Sequence, residues 1–272
     1  MRKYVTEFIG TFGLVFTVGC AVLTGSGLAP LAIGAVLMVL VYAGGHISGA
    51  HYNPAVTLGV LVRGKITLAD AIPYWISQLV AAFLAAWLAR FIVNPNPANV
   101  HVLSLAGAHA NFAALLAEFF FTFALVYVVL NVATSKDQPN NHFFGLAIGF
   151  TVAAGAAAVG GISGGAFNPA VAFGGMLMGF LGWSNFWVFL VGELLAAAAA
   201  AQTFRCLNPD DDVAGRSFSR MPKLTLGKQA PSDPAEAPFE PAVPSDPRAA
   251  PLGSAAPSDP ADPSDTQELN PN

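Results

Sequence analysis

The chain has 272 residues, 54% of them hydrophobic and only 10% charged, with a formal net charge of −4 and a mean hydropathy of +0.58. Soluble proteins carry about 25% charged residues, so this composition excludes an ordinary water-soluble globular protein. The charge is uneven as well: residues 1–207 hold five acidic side chains (Glu7, Asp70, Glu118, Asp137, Glu193), and 208–272 hold the other eleven. The net charge therefore describes an acidic tail on a nearly neutral body, and points to no nucleic-acid partner.

A hydrocarbon core about 30 Å thick takes roughly 20 apolar residues to cross as a helix. Six stretches are long enough, at 4–24, 29–48, 70–92, 111–133, 142–161 and 183–205. The first follows Arg2 and Lys3, as a signal peptide would. Its apolar run is longer than a signal-peptide core and five more spans follow, so a retained helix is expected. Arg2, Lys3, Arg63, Lys65, Lys136 and Arg205 all fall on one side if both termini are cytoplasmic; Arg90 alone falls on the other. The positive-inside rule then predicts a multi-pass protein with both ends inside, and the cell membrane is its expected location.

Two further apolar segments, 49–65 and 163–182, are too short or too glycine-broken to span. They occupy equivalent places in an internal repeat. Glu7-Phe8-Ile9-Gly10-Thr11-Phe12 matches Glu118-Phe119-Phe120-Phe121-Thr122-Phe123, an offset of 111, and 47–56 matches 162–171, an offset of 115. Each half holds three spans, an odd number, so the second half enters the bilayer from the opposite side. Short hydrophobic segments at matching points of such inverted halves mark a binding site at the midplane.

Both segments read as helix starts. Asn53 and Asn168 are favoured N-cap residues, and Pro54 and Pro169 suit the first helical position, where no N–H is needed. From Pro54 to Gly64, or Pro169 to Gly179, about ten residues at 1.5 Å each give roughly 15 Å, half the hydrocarbon thickness. Two such half-helices meet near the middle with their N-termini facing. The triplet alone does not carry this reading, because Asn96-Pro97-Ala98 repeats it in a polar connection and opens no apolar helix.

The segment His46–Gly59 resembles the first signature of the aquaporin, or major intrinsic protein, family, and residues 163–174 resemble its second. The resemblance covers roughly residues 4–205. It implies an all-α membrane protein of six transmembrane helices plus two re-entrant half-helices, a right-handed bundle with a pore in each protomer of a homotetramer. The pore motifs would be Asn53, Pro54, Ala55 and Asn168, Pro169, Ala170. Glu7 and Glu118 match the glutamates that brace the re-entrant loops in the family. On depth alone, Glu7 could instead snorkel to the interface.

The family's usual arginine after the second triplet is absent here. That position is Val171, and the family's spacing puts the other filter positions at Ile33, Ala156 and Gly165. Valine at this place resembles one class of plant vacuolar members whose range extends past water. The expected partners are water and small neutral solutes (urea, ammonia, hydrogen peroxide or glycerol), with ions excluded, and the lipid bilayer.

No metal-spaced His or Cys cluster, phosphate loop or nucleophile–base pair is legible, so neither a cofactor nor an enzyme is expected. Cys20 and Cys206 read as ordinary thiols. His46 and His51 are expected to pack around the first re-entrant loop. Glu193, inside the last span, either caps loop carbonyls or lines a wet crevice. The domain reading is a channel body over 1–207, with repeat halves at about 4–92 and 111–205. The tail, 208–272, holds thirteen of twenty prolines and three Pro-Ser-Asp-Pro repeats, which predicts a disordered tether. The rival to a channel is a structural or adhesive membrane protein that keeps the fold and conducts little.

Overall fold

The computed structural model describes residues 1–103 and 105–211; the expected tail lies outside the described residues beyond Asp211. In chain order the helices are α1 (Arg2–Leu23), α2 (Ala29–Ser48), α3 (Pro54–Arg63), α4 (Leu68–Val93), α5 (Gly107–Thr134), α6 (Phe144–Ser163), α7 (Pro169–Met178) and α8 (Phe186–Leu207). Among the described residues, six of these are long and apolar enough to cross a membrane, while α3 and α7 are the short ones. Each short helix begins at the proline of an Asn-Pro-Ala triplet and ends on a left-handed glycine, Gly64 (φ 82°) or Gly179 (φ 89°). The third triplet makes only a single 3-10 turn, Pro97–Asn99.

The helix ends explain the two repeat offsets. Leu23 and Thr134, the last residues of α1 and α5, are 111 apart; Ala29 and Phe144, the first of α2 and α6, are 115 apart. The connection 24–28 has five residues and 135–143 has nine, so the second half carries its four extra residues in this connection. The packing is symmetric too. α1 pairs with α4 as α5 pairs with α8, and α2 packs on α6 between the halves. Each half-helix also packs on the last helix of the other half, α3 on α8 and α7 on α4.

Apolar burial gives little drive to helix association in lipid, so close packing through small residues has to supply it. The sequence provides these at helical spacing: Ala81, Ala85 and Ala89 on α4 are buried, as are their equivalents Ala196 and Ala200 on α8. Where the halves meet, Gly34 of α2 faces Gly149 of α6. A Cβ on Gly34 would lie 2.6 Å from the Gly149 carbonyl oxygen and 2.6 Å from Ala153 Cβ. Backbone cannot yield as a side-chain tip can, so Gly34→Val is expected to cost about 1–3 kcal/mol of overpacking. The melting midpoint of the solubilised protein should fall accordingly, whereas Gly27→Val, with open space around its Cβ, should leave it unchanged.

Where α3 ends, the chain closes on itself. Arg63 is buried, with Nη2 donating to the Asp211 carbonyl at 2.8 Å and lying 3.4 Å from its carboxylate. Its guanidinium also stacks over Phe204, 4.8 Å from the ring centroid. Asp211 accepts the Lys136 N–H at 3.1 and 3.2 Å. Residues 209–211 thus pack on the channel body, beyond the boundary expected at 207. Burial pushes the Asp211 carboxyl up, but the Lys136 N–H and the Arg63 and Lys136 charges hold it below the ordinary carboxylate range. A depressed folded-state pKa stabilises above the unfolded value and loses that contribution as pH falls through the folded one. Asp211→Ala should therefore lower the melting midpoint at neutral pH, with the difference from wild type closing in acid. Deleting 209–272 should lower it at least as much, because the carbonyl that accepts from Arg63 goes too, and deleting 212–272 should not.

Candidate channel lumen

The two re-entrant loops, 49–53 and 164–168, are built alike. α2 and α6 end at Ser48 and Ser163, followed by left-handed Gly49 (φ 85°) and Gly164 (φ 99°). Each serine hydroxyl then accepts a loop N–H at 3.1 Å, from Ala50 or Gly165. Such loops leave backbone N–H groups turned away from water, and each left unpaired would cost about 1–3 kcal/mol. Buried carboxylates take them up. Glu7 accepts from Ser48 Oγ (2.7 Å), His51 N (2.9 Å), Tyr52 N (2.7 Å) and Gln78 Nε2 (2.9 Å). Glu118 accepts from Ala166 N (3.1 Å) and Phe167 N (2.7 Å). Glu7 is fully buried.

Tyr52 and Phe167 then adopt left-handed backbone, at φ 49° and 48°. This conformation is costly for non-glycine residues and persists where the surroundings over-determine it. Here it turns each carbonyl toward the opposite loop. Asn53 Nδ2 donates to the Phe167 carbonyl at 2.8 Å, and Asn168 Nδ2 donates to the Tyr52 carbonyl at 2.9 Å. The side-chain oxygens cap the half-helices, Asn53 accepting from Ala55 N at 2.8 Å and Asn168 from Ala170 N at 2.9 Å. An amide nitrogen carries two hydrogens. One is used to tie the loops together.

A lumen runs past this point. Its water-accessible volume is about 60 Å³, room for a short file of waters at about 10–15 Å³ each. Asn53 and Asn168 line it, and so do Ile33, Ala156, Gly165 and Val171. Gly165 sits against the helix bearing Ala156, where a Cβ would lie 3.2 Å from the Ala156 Cα. Pro54, Ala55, Pro169 and Ala170 are buried behind the amides and do not line the lumen.

Several lining residues escaped sequence reasoning. His51 faces the lumen, its Nδ1 lying 3.1 Å from Thr57 Oγ1, whereas His46 is exposed and does not pack around the loop. Phe180 and Leu181 line it as well. Their N–H groups both donate to the Gly175 carbonyl, at 3.1 and 3.3 Å, and Leu103 N donates to the Phe180 carbonyl at 2.9 Å. Gly179, the left-handed residue before them, was the legible sign of that reversal.

Beside these paired half-helices, each N-capped by its own asparagine and tied to the opposite loop, stands a family match: the Major intrinsic protein profile fits residues 1–204. The chain belongs to the major intrinsic protein family. It is a passive transmembrane channel for water and small solutes. Aquaporin NIP1-4 of Oryza sativa subsp. japonica is 36% identical over 220 residues, covering 78% of this chain and 79% of that protein. Glycerol uptake facilitator protein-like 6 of Lactiplantibacillus plantarum is 36% identical over 217 residues, covering 78% of this chain and all of that protein. Among solved structures, the aquaglyceroporin from Plasmodium falciparum aligns with a TM-score of 0.60 at 24% identity, covering 78% of this chain and 99% of that one, a likeness of fold.

Proposed function

We propose that this major intrinsic protein conducts water together with small neutral solutes such as urea, ammonia, hydrogen peroxide or glycerol, and excludes ions. The observation that carries the reading is Val171 on the lumen wall with Ile33, Ala156 and Gly165. None of the four is polar or cationic, and two are among the smallest side chains. The filter is therefore wide and apolar for its family, and size discrimination is weak.

Ion exclusion rests on the half-helices. α3 and α7 each direct an N-terminus, worth roughly +0.5 of an elementary charge, at the lumen centre. Taking a neutral hydroxyl-like group out of water without a partner costs roughly 2–7 kcal/mol, and an uncompensated ion costs tens. The second Nδ2 hydrogens of Asn53 and Asn168 and the loop carbonyls offset the first cost and leave the second standing. Aquaporin-type selectivity generally combines pore width, lining hydrogen bonds and helix dipoles in this way.

The working unit in this reading is a homotetramer in the cell membrane with cytoplasmic termini, supported by the lysine and arginine distribution and by family resemblance. Glu7 and Glu118 brace the two loops. Stopped-flow measurement of water, urea, glycerol and ammonia fluxes in the same proteoliposomes tests the proposal. Accelerated flux of at least one of these solutes besides water supports it; water flux alone contradicts the wide filter.

A further inference from the structure

Glu193 is a buried carboxyl that the conduction path itself does not use. The offset of 115 that relates Asn53 to Asn168 also relates Gln78 to Glu193. In the first half, Gln78 Nε2 donates to Glu7 Oε2 at 2.9 Å and to Thr57 Oγ1 at 3.0 Å. An amide against a carboxylate forms that bond with no additional proton. In the second half, the amide is replaced by a carboxyl.

Glu193 is fully buried, and its Oε1 accepts the Asn168 N–H at 2.9 Å. Its Oε2 is buried too and receives no donor among the described residues. The carboxyl of Glu118 is within hydrogen-bonding reach of Glu193. α5 and α8 approach closely at this level, where a Cβ on Gly192 would lie 3.5 Å from Glu118 Cβ. Two carboxylates so placed out of water repel, and each offers an acceptor where its neighbour needs a donor. A single proton between them removes both difficulties, as in other close carboxyl pairs.

We propose that Glu193 and Glu118 share one proton, so that Glu193 serves as the neutral hydrogen-bonding counterpart of Gln78 and positions Asn168. The chain runs from the Glu118 cradle, through the shared proton and Glu193 Oε1, to the Asn168 N–H at the start of α7.

Other charges lie elsewhere. α8 packs on α5, α3, α7 and the turns at 183–185 and 209–211. Besides Glu118, the titratable groups on these elements are His109 and Tyr127 of α5, Arg63 of α3, and Asp210 and Asp211 of the last turn, with Arg205 and Cys206 on α8 itself. His109 and Tyr127 are each nine residues from Glu118, about 13 Å along the helix. Arg63 engages Asp211, and Arg205 lies twelve residues beyond Glu193, about 18 Å away along α8.

The test joins infrared spectroscopy of the full-length protein in proteoliposomes with water permeability per inserted protein. At neutral pH, wild type should show a buried carboxylic-acid carbonyl band that Glu193→Gln lacks, since glutamine donates to Glu118 without a proton to spare. Glu193→Gln should keep conducting, as its amide can both donate to Glu118 and accept from Asn168. Glu193→Ala should lose roughly fivefold in permeability, the effect of about 1 kcal/mol of lost positioning. A wild-type spectrum without the acid band, or a band that survives in Glu193→Gln, overturns the shared proton. Equal impairment of the glutamine and alanine variants, or none in either, overturns the positioning role. The infrared arm reads no flux, so its failure is distinct from any failure of the solute reading.

Discussion

Val171→Arg is expected to cut urea and glycerol permeability at least about tenfold, equivalent to ~1.4 kcal/mol added to the barrier, while water permeability falls far less. Val171 shares the lumen wall with Ile33, Ala156 and Gly165. Against such small neighbours, an arginine side chain would fill much of the cross-section. Guanidinium is planar, permanently charged and rich in donors, so a single water can still exchange hydrogen bonds with it in passing. A bulkier solute has to push it aside. Any residual cation leak should fall as well, because like charges repel strongly where water is scarce. Both fluxes are measured in the same vesicles and normalised to inserted protein. Equal proportional loss of water and solute would mean that position 171 does not set size selectivity.

Glu7→Leu should abolish conduction and lower the yield of folded protein. Four donors converge on this carboxylate: Ser48 Oγ, the His51 and Tyr52 N–H groups, and Gln78 Nε2. Leucine has similar bulk and accepts nothing. Each donor left buried and unpaired costs about 1–3 kcal/mol, and the total is comparable with the whole stability of a typical domain, about 5–15 kcal/mol. Glu7→Gln should be milder, since one side-chain oxygen still accepts. Folded yield by size-exclusion profile and water flux per protein read the two effects. Wild-type behaviour of the leucine variant would show that the first loop holds its shape without Glu7.

The parts of this molecule that sequence alone made legible are those written in local chemistry. Asn-Pro opens α3 and α7 because an asparagine caps a helix and a proline needs no N–H there, and Gly64 and Gly179 close them. The difference between the two repeat offsets already implied four extra residues in the second half. What stayed hidden depends on contacts across long sequence separations. Gln78 reaches Glu7 from 71 residues away, and Arg63 meets Asp211 from 148. A helix apolar on every side, as α4 and α6 nearly are, carries no stripe to say which face is inward. His51 illustrates the same limit: its loop was evident, but its direction into the lumen follows from the left-handed backbone at Ala50 and Tyr52 (φ 51° and 49°). Glu193 became interpretable only once the Asn168 N–H was seen to end on it.

The most direct test of conduction through this lumen is osmotic shrinkage of proteoliposomes carrying the wild-type chain, followed by light scattering beside protein-free vesicles of the same size and lipid. The lumen lined by Asn53, Asn168 and Val171 predicts water efflux much faster than in protein-free vesicles, with ionic conductance unchanged. Efflux no faster than that of the protein-free vesicles, with the protein inserted and folded, would contradict it.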